Sequence, residues 1–224
     1  MENQILDDNA FQNSGKQEET MRNNIDRADY TIYAHSAVFV LISLVLLTNL
    51  SFLLGLVQNV DTILLMEGIL SILVGVATIT GFILFLMWFR RAYKNIQIIG
   101  YKTKHIDGWA VGGFFVPILA VFYPYNIMTE IWQKMQLTAE GNGIKHYLKG
   151  GIHGWWWFFW ILSYIISYIS LKMQMNGQVD IESQIPTWIS VFTNVIELLD
   201  ALFTILVVKS LRDTEKELRK DGGF

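Results

Sequence analysis

Two acidic residues stand in an apolar stretch near the C-terminus of this 224-residue chain, where ionisable groups are costly. Glu197 and Asp200 are three positions apart, so on a helix they share a face. Ser190, Thr193, Glu197, Asp200 and Thr204 fall at i, i+3, i+7, i+10 and i+14, a single polar stripe, with Asn194 beside it. Counting from Trp188 at about 1.5 Å per residue sets Glu197 roughly 14 Å and Asp200 roughly 18 Å into the stretch, near the middle of a bilayer about 30 Å thick. Acids at that depth must face the bundle interior or water, and they mark a binding, conducting or proton-relaying site by default. The competing reading is a pair of hydrogen-bonded acids that fixes helix packing. Glu67 is shallower and reads as a wetted outer residue. Asn49 and Asn194 are expected to hydrogen-bond between helices.

Other chemistries find little support. The chain has no cysteine, which removes thiolate nucleophiles, disulfides and sulfur ligands. G-x-S-x-G, H-E-x-x-H and Walker A patterns are missing, so no catalytic residue is assigned and no enzyme is expected. His35, His105, His146 and His153 lack a metal-site spacing and read as polar residues near one membrane face; no metal or cofactor is expected. No basic patch interleaves with aromatics in a polar segment, so nucleic acid is not an expected partner.

The elements that position the acids are membrane spans. The chain is 52% hydrophobic and 17% charged, against about 25% charge in an average soluble domain. Four runs, 32–57, 63–89, 155–171 and 188–208, have the roughly 20 apolar residues a crossing needs and no internal Lys or Arg. The fold class is therefore an all-α membrane protein. Residues 1–29 are polar and read as a disordered tail, 30–210 as the membrane domain, and 211–224 as a charged, amphipathic extension whose basic residues suit anionic headgroups.

Basic residues alternate across the runs. Arg22 and Arg27 precede the first, Arg90, Arg91, Lys94, Lys102 and Lys104 follow the second, and Lys209, Arg212, Lys216, Arg219 and Lys220 follow the last. Loop 58–62 carries none. This bias puts both termini in the cytoplasm of a multi-pass cell-membrane protein. The stretch 109–128, with Gly112, Gly113, Pro117 and Pro124, has basic residues on both sides and is read as re-entrant or interfacial, its prolines ending short helices. A fifth, proline-kinked span is the alternative.

Residues 85–135 run FLMWFRRAYKNIQIIGYKTKHIDGWAVGGFFVPILAVFYPYNIMTEIWQKM. With Arg91, Tyr93, Asn95, Gly100, Trp109, Pro117, Pro124, Tyr125, Glu130 and Trp132, the stretch resembles a bacterial membrane family catalogued as domain of unknown function 4328. The resemblance implies the membrane assignment and a structural role for Trp109, Pro117, Pro124 and Tyr125. It implies no activity. Two functions stay open: a module that binds or conducts a small solute or ion on the polar face of the last helix, or a non-catalytic scaffold or regulatory subunit. Partners are the lipid bilayer and either a second copy or another membrane protein.

Overall fold

The structure is a computed structural model that describes residues 21–57, 59–148, 150–175 and 185–220. Helices are the regular structure found among them. The apolar runs form α1 (Ile25–Leu53), α2 (Val60–Ile98), α6 (Ile152–Met175) and α7 (Ile185–Lys220). Each contains a stretch long and apolar enough to cross a membrane. Lipid offers the backbone no hydrogen bonds, and a continuous helix satisfies its own. Between α2 and α6 lie α3 (Trp109–Gly112), α4 (Pro117–Ala120) and α5 (Tyr123–Gly141).

Helix α1 packs along both α2 and α7, and α7 also packs on α6. No backbone contact joins α2 to α6 among the described residues. Neighbours run antiparallel: Asn24 at the start of α1 meets Trp88 of α2 and Glu215 of α7, while Val38 and Ile42 pack on Ala201 a few turns further along. The beginning of α1, the end of α7 and the 99–151 segment thus share one end of the bundle.

That end holds the main core. Phe85, Trp88, Phe89, Tyr93 and Ile96 of α2 are buried against Ile127, Met128 and Ile131 of α5, Trp156 of α6, and Val207, Val208 and Leu211 of α7. Toward the opposite end the helices turn large apolar side chains outward: Leu65 is 66% exposed and Ile72 69%. Such a surface fits hydrocarbon, where its exposure costs nothing.

The helices overrun the apolar stretches at the core end, and the overrun is bolted by polar contacts. Helix α1 starts at Ile25, earlier than the apolar boundary at Ile32. Asn24 donates its amide N–H to Glu215 Oε1 at 3.0 Å and its Nδ2 to the Trp88 carbonyl at 3.1 Å. Asn95 clasps the Arg22 backbone, accepting from its N–H at 3.1 Å and donating to its carbonyl at 2.8 Å. Residues 21–29, expected to belong to a disordered tail, are therefore placed by hydrogen bonds; residues 1–20 lie outside the described set. Residues 211–220 likewise dock. Arg212 pairs with Asp29, Arg219 donates to Glu215 at 2.9 Å, and Thr214 Oγ1 accepts from the Tyr147 N–H. These arginines are thus engaged within the molecule, where headgroup contacts had been expected.

The two prolines open helices, contrary to the expectation that they end them. Pro117 begins α4 and Pro124 stands in the first turn of α5, positions where a missing N–H is no loss. Upstream, α2 ends on Gly100 at φ 100°, with the Tyr101 N–H returning to the Ile96 carbonyl at 3.2 Å. This turn sends the chain back under the bundle. A Cβ at Gly113 would lie 2.8 Å from the Trp109 carbonyl oxygen and 2.9 Å from Tyr123 Cβ. At Gly112 the nearest atom would be a comfortable 3.6 Å away. Gly113→Ala is accordingly expected to cost about 1–3 kcal/mol and lower the melting temperature in detergent, while Gly112→Ala leaves it nearly unchanged. Equal melting temperatures for the two variants would contradict the close approach of α3 to α5.

Candidate functional site: an acidic cavity between α2 and α6

The space between α2 and α6 is a cavity of about 340 Å³, backed by α1 and α7. Its base is aromatic. Phe114, from the short segment after α3, stands 5.7 Å from Phe82 and 6.1 Å from Phe85 on α2, and 5.7 Å from Trp160 on α6, ring centre to ring centre. Phe85 extends the cluster to Phe89 at 5.4 Å and to Trp156 at 5.7 Å. Edge-to-face and stacked pairs of this kind add about 0.5–1.5 kcal/mol each beyond simple burial. They join helices that do not otherwise touch.

Glu197, Asp200 and Thr204 of α7 line the cavity. Glu197 Oε1 accepts from Ser167 of α6 at 3.2 Å. Asp200 faces Ser163, whose hydroxyl lies within reach of both the Asp200 carboxylate and the Trp160 carbonyl, the latter at 2.9 Å. Asp200 Oδ1 is shut away from the surface and meets no donor among the described residues. Thr204 donates to the Asp200 carbonyl at 2.9 Å and also lines the cavity. A carboxylate oxygen with no partner is unusual in a native interior. Both acids border the cavity, an arrangement suited to a ligand, an ion or a water.

The polar stripe divides. Glu197, Asp200 and Thr204 reach the cavity, whereas Thr193 donates to its own helix at Ile189 and Asn194 is buried away from the lining with Nδ2 unpartnered. Asn49 also bonds within its helix, to the Val45 carbonyl at 3.1 Å, so the expected interhelical asparagine pair is not formed. Arg90 and Arg91 do not reach up to the acids. Arg90 pairs with Asp107 at 3.0 Å and Arg91 donates to the Asn23 carbonyl at 3.4 Å, both at the core end.

His35 was read as a residue near one membrane face; the structure sets it in the cavity wall, level with Gly81 of α2. Its Nδ1 lies 2.9 Å from the Thr31 carbonyl, an acceptor, so Nδ1 carries a proton and Nε2 is the nitrogen left for other contacts. Sequence reasoning also missed Ser163 and Ser167. Their i, i+4 spacing on an otherwise apolar and aromatic helix was the available signal, overshadowed by the tryptophan cluster beside it.

The two-proline motif serves the scaffold. Trp109 packs edge-on against Tyr123 at 5.4 Å, Pro124 is buried, and Tyr125 stacks on His153 at 6.1 Å and on Trp157 at 6.4 Å. Tyr93 donates to Glu130 Oε2 at 2.6 Å and accepts from the His105 N–H at 3.2 Å, tying α2 to α5. Together these contacts carry Phe114 to its position at the cavity base.

Fold and site define a helical multi-span membrane protein with an acid-lined cavity inside the bundle. The chain belongs to the family described as Domain of unknown function (DUF4328), whose model matches residues 54–213. The match takes in α2 through most of α7, the aromatic base and both cavity acids, and leaves out α1. No curated protein and no solved structure matches the chain.

Proposed function

We propose that the protein is a non-enzymatic membrane module that binds a small solute or cation in the cavity, using the acidic face of α7. The observation that carries this reading is the pair of carboxylates, Glu197 and Asp200, on the wall of a cavity large enough for a ligand. A pair of acids serving packing alone would be expected to meet hydrogen-bond donors in a closed interior. A scaffold or regulatory subunit remains the competing function, and the same test separates them.

The titratable side chains lining the cavity are His35 of α1, Tyr164 of α6 and Glu197 and Asp200 of α7; the lining residues of α2 carry none. A bound cation or proton stabilises the form that binds it. The wild type should show a melting temperature that depends on added cation or on pH between about 5 and 8. Glu197→Gln with Asp200→Asn should keep the fold and abolish that response. An unchanged response in the double variant would remove the acids from the site and leave the scaffold function ahead.

We further propose that both termini are cytoplasmic and that 109–128 lies against the inner membrane face without crossing. The basic flanks support the orientation. Exposed apolar side chains on the segment, with Ile118 76% and Phe115 66% exposed, support contact with lipid. The chain lacks cysteine, so single cysteines report cleanly. An impermeant thiol reagent on intact cells should label Asn59→Cys and spare Lys102→Cys and Lys216→Cys. Labelling at Lys216 with protection at Asn59 would invert the topology.

A further inference from the structure

The chemistry of the cavity wall says more about the ligand than its acidity does. The lining contains no Lys or Arg, and aromatic rings supply much of its surface: Phe82, Phe85, Trp156, Trp160 and Tyr164. Val38, Ile42 and Val74 complete the apolar part. A bare divalent ion asks for six or more oxygen ligands. Among the described residues no three His, Asp or Glu side chains come together to hold one. The Glu197 and Asp200 carboxylates therefore border a chamber whose other walls are largely aromatic and aliphatic. Aromatic faces attract organic cations, most strongly where water is excluded.

The mouth of the chamber points the same way. Helices α2 and α6 diverge without backbone contact above the Phe114 base, and Thr78, Tyr164 and Ser167 stand exposed along the opening. Their outward neighbours, including Val76 at 62% and Ile165 at 46% exposure, form the surface suited to lipid. A ligand using this entrance must be at home among acyl chains and still carry a positive charge for Asp200.

Resting on the binding function proposed above, we propose that the cavity takes an amphipathic organic cation, a protonated amine or quaternary ammonium bearing an aromatic or branched apolar group, admitted from the bilayer between α2 and α6. The cationic head sits by Asp200 and Glu197, and the apolar part lies on the Trp156–Trp160 wall. The volume of about 340 Å³ falls at the lower end of the roughly 300–1,000 Å³ range of small-molecule pockets, which sets the size class.

The test uses the full chain in lipid nanodiscs, titrated by calorimetry with benzyltrimethylammonium and with neopentylbenzene, its neutral isostere in which carbon replaces nitrogen. Benzyltrimethylammonium should bind saturably, and Asp200→Asn should weaken it by about tenfold or more. Neopentylbenzene should show no saturable binding. Glu197→Gln serves as a second variant if Asp200→Asn does not yield folded protein. Equal binding of the two compounds, or ammonium binding unaffected by either substitution, would overturn the proposal in favour of a merely apolar groove. No ammonium binding by a wild type that still responds to pH or inorganic cations through its acids would overturn the organic-cation class and spare the binding site. Loss of both responses would remove the site as well.

Discussion

Phe114 packs between α2 and α6 beside the direct contact of Phe85 with Trp156, and the cavity rests on the aromatic wedge they form. Its ring contacts Phe82, Phe85 and Phe89 on one side and Trp160 on the other. A bundle of four apolar helices in lipid has little hydrophobic reason to leave a gap, because tails and side chains are equally apolar. The aromatic cluster at one end fills the space between the two helices, which share no backbone contact, while α1 and α7 stay in contact behind them. The separation leaves room for carboxylates at a depth that lipid contact would forbid.

The wedge depends in turn on the polar bolts of the core end. Gly100 reverses the chain, Tyr93 and Glu130 tie α5 to α2, and Gly113 lets α3 approach Tyr123 closely enough to present Phe114 upward. Asn24, Asn95 and Glu215 lock α1, α2 and α7 together at the same level. Buried polar contacts of this sort fix one register among the many that a smooth apolar surface would allow. The polar contacts are thus concentrated at one end of the bundle, away from the opening between α2 and α6.

The apolar runs and their charged borders were legible in the sequence because both follow from the thickness of a bilayer and the cost of burying charge. The acids of α7 were legible for the same reason: Glu197 and Asp200 are conspicuous in hydrocarbon. What they face was not. His35 lies close enough to the start of its apolar run to pass for an interfacial residue, and its role depends on the register of α1 against Gly81. Ser163 and Ser167 carry no charge to draw notice. The prolines were legible as breaks, but whether Pro117 and Pro124 start or stop helices is decided by the turns on either side. The docking of residues 21–29 hinges on Asn24, whose partners lie 64 and 191 positions away.

The central claim is that Asp200 faces an open chamber inside the bundle and not lipid or a closed dry core. A nitroxide attached to Ser163→Cys, next to Asp200, reports its local water through deuterium modulation of the electron spin echo in heavy water. Val76→Cys, near the same height on the outward face of α2, provides the lipid-exposed reference. With no ligand added, the account predicts a clearly larger heavy-water signal at 163 than at 76, since the two carboxylates and the hydroxyls that border the chamber hold water when it is vacant. Equal, weak signals at both positions would contradict it.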